Sequence, residues 1–158
     1  MTDESTWLTP EAHAKLSSEL EHLKNEGRAE IEARIAEARS HGDLRENADY
    51  DAAKNDQGLM EARIRQLESL LHSAEVRQAV HDGTVQVGSV VTVIDDEGDE
   101  IRYFVATPEN RVAGLPLASP DGPMGRALLG AAVGDTVAYQ APGGRFEVEV
   151  KAIEPYRE

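Results

Sequence analysis

Residues 50–74 read YDAAKNDQGLMEARIRQLESLLHSA, and within them Tyr50, Ala53, Gln57, Met60, Ile64, Leu67, Leu71 and Ala74 follow one another at alternating spacings of three and four. That spacing keeps all eight on one face of an α-helix and is the seam of a coiled coil. Upstream, Leu16, Leu20, Leu23, Ile31, Ile35 and Ala38 recur at mostly three- and four-residue intervals, again one helical face. A few residues about His41-Gly42 separate the two patterns, and so short a connection makes the helices antiparallel neighbours. The sequence therefore predicts a helical hairpin over residues 1–80 with its tip near 40–50. Thr9-Pro10-Glu11 reads as the start of the first helix, because Thr9 accepts from first-turn amides and Pro10 suits the first helical position. That helix is expected from about Pro10 to Ala38, with a kink or weakly packed turn where Asn25-Glu26-Gly27 interrupts the stripe. The second is expected over roughly Leu44 to Val76, about 50 Å at the helical rise.

Beyond residue 80 the period changes. Val87 to Ile94, Glu100 to Ala106, Thr136 to Gln140 and Arg145 to Ile153 are short runs rich in β-branched and aromatic residues. They are separated by Asp95-Asp96-Glu97-Gly98-Asp99 and Ala141-Pro142-Gly143-Gly144, which are turn sequences. Phe146, Val148 and Val150 alternate with Arg145, Glu147, Glu149 and Lys151, so one sheet face is wet and the other packs on a core. Pro120 to Gly130 reads as a loop entering a short helix that covers the sheet. The fold class is α+β, with residues 81–158 a second, antiparallel-sheet domain.

The chain has 30 acidic and 16 basic side chains, a formal net charge of −14. Residues 1–80 hold 17 and 10 of them and residues 81–158 hold 13 and 6, so both halves are acidic. Such a balance opposes general binding to DNA, which needs lysine and arginine to displace counterions, and suits a partner with a basic surface. There is no cysteine, hence no disulfide framework or thiolate metal site. The five histidines form no ligand pair at helical spacing, which argues against zinc. No signal-peptide pattern or membrane-spanning apolar run is legible, so a cytoplasmic location without a membrane partner is expected.

Between the two helical patterns stands Gly42-Asp43-Leu44-Arg45-Glu46-Asn47-Ala48-Asp49-Tyr50. This nine-residue tip, the helical hairpin around it and the later segment Ser119-Pro120-Asp121-Gly122-Pro123-Met124-Gly125-Arg126-Ala127-Leu128-Leu129 resemble the bacterial Gre transcript cleavage factors of the GreA type, over essentially the whole chain. The resemblance implies a transcription elongation factor that binds bacterial RNA polymerase and passes its hairpin through the secondary channel. There it stimulates the polymerase's own cleavage of backtracked RNA and is not itself an enzyme. It implies that Asp43 and Glu46 help hold a second Mg2+ and position the attacking water, that Arg39, Arg45 and Lys54 lie near the RNA 3′ end, and that Asp121 and Pro123 touch polymerase. It also implies an FKBP-like C-terminal fold, without isomerase activity.

The chemistry is coherent. Phosphodiester hydrolysis by two metals needs an ion at each of the attacking and leaving oxygens, and Mg2+ takes oxygen ligands. Two carboxylates are too few for a dedicated cage, so Mg2+ is expected only within the polymerase active centre and not bound tightly by the free protein. The same residues have plainer readings. Asp43 and Glu46 stand at capping-box spacing, the arginines and Lys54 suit a solvated helix face, and Asp-Gly after proline is a turn. Tyr50 begins the seam and is expected to pack against the first helix. The chain departs from the family with Asp51 for histidine, Gly122 for serine, and Lys54-Asn55-Asp56 for an arginine, glutamate and glutamine run. Two rivals remain: a channel-binding regulator without cleavage activity, and a coiled-coil adaptor whose β-domain binds peptides or isomerises prolines.

Overall fold

The structure, a computed structural model, describes residues 6–40 and 47–157. Thr9 closes the start of the first helix as its sequence predicts, its Oγ1 accepting from the Ala12 amide at 3.0 Å. Helix α1 then runs Pro10–His22. A single π-helical turn, Leu23–Gly27, separates it from α2, Arg28–Ser40. The interruption at Asn25-Glu26-Gly27 thus takes the form of a wide turn, the usual way a helix absorbs an extra residue in its apolar period. Helix α3 spans Asn47–Ser73, 27 residues, or about 40 Å. It stops short of the Val76 expected from the pattern because Glu75–Val76 forms strand β2, paired in parallel with β1, Trp7–Leu8.

The described chain divides into two compact units, one within residues 13–74 and the other made of residues 6–12 and 75–157. In the first, the seam is as spaced: Ala53, Ile64 and Leu67 are buried and Tyr50, Gln57, Met60, Leu71 and Ala74 half-buried, facing buried Leu16, Ile31 and Ala38 and half-buried Leu20, Leu23 and Ile35. Ion pairs across the helices fix their antiparallel register: Lys24 with Glu68 at 3.4 Å, Arg28 with Glu61 at 2.8 Å and Arg34 with Asp56 at 3.0 Å. Arg63 grips both oxygens of Glu19, at 2.7 and 2.9 Å. The hydrogen bonds from Arg63 and Arg28 hold the Glu19 and Glu61 carboxyls below the ordinary 4.5.

The second unit carries a five-stranded sheet in the order β5-β4-β3-β7-β6. Its strands are β3 Ser89–Ile94, β4 Glu100–Val105, β5 Leu117–Ala118, β6 Thr136–Ala141 and β7 Gly144–Pro155. The four long strands are antiparallel, and two-residue β5 is parallel to β4. The 12-residue β7 pairs first with β6 and then with β3, and Lys151 is left over where Thr92 faces Ala152 and Val93 faces Val150. That bulge bends the strand between its two partners. A short helix α4, Pro123–Leu128, places Leu128 in the main core with Val91, Val93, Val105, Val148 and Val150.

The sequence indicates one packed face, but the structure covers both at the sheet's centre. Val90 and Phe104, on the side opposite Val91 and Val105, pack with Trp7 and Ala106. The Trp7 ring meets Phe104 edge-on at 6.2 Å, and Phe104 stacks on Tyr156 at 4.6 Å. Gly88 lies beneath Trp7 with φ +102°, where a Cβ would come within 3.2 Å of the indole. Trp7 is held by Asn110, which is 1% exposed. The Asn110 carboxamide accepts from the Thr9 amide at 2.9 Å and donates to the Trp7 carbonyl at 2.9 Å and to Thr107 Oγ1 at 3.1 Å.

Truncating Asn110 leaves a buried amide and carbonyl without partners, so Asn110→Ala should cost about 2–4 kcal/mol. Urea unfolding followed by the fluorescence of Trp7, the one tryptophan, measures it. Glu61 and Glu19 have depressed values when folded, so their contribution is present above the ordinary 4.5 and is lost as pH falls through their lower folded values. Glu61→Gln should therefore lower the melting midpoint of the helices at pH 7, and the wild-type and variant midpoints should converge towards pH 3, as read by far-UV circular dichroism.

Candidate functional site

The end of the hairpin unit is built from the last turn of α2 and the first turns of α3. The register that sets Arg28 against Glu61 and Arg34 against Asp56 runs on to Arg39 and Tyr50. There the Arg39 guanidinium carbon lies 5.6 Å from the Tyr50 ring centroid, cation–π distance. A hydrogen bond from Arg39 and the charges of Arg39 and Lys54 hold the Tyr50 phenol below its ordinary 10.0, against burial and the Asp51 carboxylate. Tyr50 is half-buried above fully buried Ala53, which places it on the seam as its spacing indicates.

Lys54 is exposed, and its Nζ donates to Gln57 Oε1 at 3.0 Å. Arg39 and Lys54 thus both stand at this end, and the charge of each is felt by Tyr50. Asp56, one of the departures noted in the sequence, is taken up in the pair with Arg34. Asp51 is exposed. A shallow depression of about 230 Å³ beside them is lined by Arg34, Glu37, Ala38, Asp49 and Ala52. The expected catalytic and metal-binding pair Asp43 and Glu46, with Arg45, lies outside the described residues. Among the described residues, no group of three or more histidine, aspartate or glutamate side chains is placed to hold a metal ion.

In the second unit, Asp121 and Pro123 are both exposed on a tight knuckle that leads into α4. The Gly122 amide donates to the Ser119 carbonyl at 2.9 Å, and the Asp121 amide reaches Ser119 Oγ at 3.3 Å. Pro123 takes the first helical position, where its missing N–H costs nothing. Arg126 closes the knuckle from within the helix: its Nε donates to the Asp121 carbonyl at 2.9 Å and its Nη2 to the same oxygen. Gly125 lets α4 sit against the loop, because a Cβ there would stand 1.8 Å from the Ser119 carbonyl oxygen.

Sequence reasoning missed Arg126 and the partnership of Arg39 with Tyr50. The second was readable, since opposite charges at 28 and 61 and at 34 and 56 already set the register that brings 39 to 50. Arg126 had no such signal, for a guanidinium reaching a carbonyl five residues back leaves no periodic trace.

Together the units define an α+β protein made of a coiled-coil helical hairpin and a small five-stranded sheet domain. The family model for the N-terminal part of transcription elongation factors matches residues 6–76, and that for the GreA/GreB C-terminal part matches residues 80–155. The chain is 46% identical to the transcription elongation factor GreA of Streptomyces coelicolor, over 96% of this chain and 94% of that protein. It is 44% identical to the GreA of Mycobacteroides abscessus over the full length of both. A crystal structure of the GreA factor homolog 1 protein of Thermus thermophilus is 30% identical, covering 96% of this chain and 99% of that one, with a TM-score of 0.46. The chain belongs to the GreA/GreB transcription elongation factor family. None of its described helices is long and apolar enough to cross a membrane.

Gly125→Ala forces backbone movement at Ser119 and should destabilise the second unit by about 1–3 kcal/mol or more. Urea unfolding by Trp7 fluorescence checks the size, and amide hydrogen exchange at 119–126 should rise first.

Proposed function

We propose that the protein binds bacterial RNA polymerase, inserts the end of its helical hairpin through the secondary channel and stimulates the polymerase's intrinsic cleavage of backtracked RNA. The released fragment leaves a fresh 3′ end in register, and the arrested complex restarts. The observation that carries this reading is the sequence Gly42–Tyr50, which follows α2 and whose last four residues open α3, in a chain of the GreA/GreB family. The protein on this reading is a cofactor of polymerase and not an enzyme.

Asp43 and Glu46 supply carboxylate oxygens to the second Mg2+ of a two-metal hydrolysis and orient the attacking water, with the remaining ligands from polymerase, RNA and solvent. Arg39, Arg45 and Lys54 face the displaced RNA, where guanidinium and ammonium groups offset phosphate charge. The net charge of −14 supports recognition of one basic channel over general adhesion to nucleic acid. Asp121 and Pro123 form the second contact, at the rim of the channel. The fixed backbone of their knuckle supports this, because a preorganised loop loses little entropy on docking.

The test is transcript cleavage in a purified backtracked bacterial polymerase complex, with Asp43→Asn and Glu46→Gln variants beside the native chain. Native protein should release short RNA fragments at least about a hundredfold faster than polymerase alone, and each variant should bind but lose most of that gain, as the removal of a charged group acting in the transition state does. Binding without acceleration by the native chain would make it a channel-occupying regulator instead.

A further inference from the structure

The arginines of the hairpin unit are treated in two ways. Arg28, Arg34 and Arg63 each pair with a carboxylate of the opposite helix, at 2.8, 3.0 and 2.7 Å. Arg39 is different. Among the described residues it pairs with no carboxylate, although Glu37, Asp49 and Asp51 all stand near that end of the hairpin. Its guanidinium lies instead against the Tyr50 ring, 5.6 Å from the centroid.

The two arrangements have opposite consequences for binding. A bidentate carboxylate occupies the N–H fork that would otherwise receive a phosphate. An aromatic face attracts the cation through its quadrupole and takes none of the five N–H donors. The hydrogen bond from Arg39 to the Tyr50 oxygen draws on the fork but puts no carboxylate in it. Tyr50 is also a fixed platform, since it belongs to the seam, half-buried above Ala53.

We infer that Tyr50 is a positioning residue, whose ring holds the Arg39 guanidinium clear of the neighbouring carboxylates and open to a phosphodiester oxygen of the displaced RNA. The inference rests on the proposed cleavage function and adds to it the group that keeps a cation usable in an acidic setting. The ring matters more than the hydroxyl, because the face supplies the attraction that spares the fork.

The experiment compares full-length Tyr50→Leu, Tyr50→Phe, Arg39→Ala and the double variant Tyr50→Leu/Arg39→Ala in the backtracked polymerase complex at saturating factor. Leucine keeps the seam apolar and removes the platform. Tyr50→Leu should slow stimulated cleavage about tenfold or more, the loss expected for one hydrogen bond to a charged group. Arg39→Ala should match it, and the double variant should be no slower than Arg39→Ala alone. Tyr50→Phe should stay within about threefold of native, since the cation–π contact survives. Polymerase affinity by competition and helix content should be unchanged throughout. In the free protein, the Arg39 Nε–H resonance should keep its ring-current shift in Tyr50→Phe and lose it in Tyr50→Leu.

A merely structural tyrosine gives a different pattern: helix content or affinity falls, and Tyr50→Leu slows the Arg39→Ala protein further. That additivity overturns the inference, as does a Tyr50→Leu protein that cleaves like native or a Tyr50→Phe protein as slow as Tyr50→Leu. If the native chain itself fails to stimulate cleavage, the functional reading falls and this inference falls with it. If the native chain cleaves and Tyr50→Leu cleaves equally well, only the inference falls.

Discussion

The Asn110 carboxamide is the constraint on which the ends of the helical hairpin depend. It accepts from Thr9 and donates to Trp7, residues more than a hundred positions earlier in the chain. Those two bonds place Trp7–Leu8 in a strand and leave Thr9 at the turn where α1 begins. The same strand pairs with Glu75–Val76, the segment that follows α3. The residues before α1 and after α3 are thus hydrogen-bonded to each other, both within the sheet-bearing unit. An amide can do this where a hydrocarbon cannot, because it satisfies a donor and an acceptor at once in a place without water. The Trp7 ring then covers Val90 and Phe104, so the polar clasp and the second apolar cluster are parts of one arrangement.

This arrangement also separates what the sequence reveals from what it hides. The seam from Tyr50 to Ala74 was legible because helix packing repeats at short range, and every residue on it proves buried or half-buried. The β-hairpins were legible from their turns, where Asp95 Oδ1 accepts from the amides of Glu97 and Asp99 at 2.9 Å. The role of Trp7 was not, since nothing local distinguishes a tryptophan near the start of a chain from one that closes a distant sheet. Val90-Val91 gave a hint, because two adjacent buried residues of a strand must serve opposite faces. Asn110 gave none. For the candidate site, the sequence proposed Arg39, Lys54, Asp121 and Pro123 but did not show that a ring packs on Arg39 across the hairpin or that Arg126 reaches five residues back to the Asp121 carbonyl.

Charge in the hairpin unit is arranged, not merely abundant. Half-exposed ion pairs of the Arg28–Glu61 kind add little to stability one by one. Their larger effect is on register, because each arginine has an acid opposite it only when the helices run antiparallel with the observed offset. A shift by one residue would take the seam off its face and unpair the ladder together, so the apolar and ionic patterns reinforce each other. That redundancy keeps the last turn of α2 beside the first turns of α3, which is what brings Arg39 onto Tyr50.

The two acidic departures near this end therefore have unequal weight. Asp56 is neutralised within the fold, its carboxylate bonded to Arg34 at 3.0 Å. Asp51 is exposed, and its charge is felt by Tyr50, where it opposes the influence of Arg39 and Lys54 on the phenol. An uncompensated carboxylate next to a cation meant for phosphate competes for that cation and repels the phosphate as well. A ring that holds the cation relieves the competition without adding charge, and the requirement for such a platform grows with the acidity of its surroundings. In a chain of net charge −14, an arginine that is to bind an anion needs a neutral partner, and on the inference drawn above Tyr50 is that partner at this end of the hairpin.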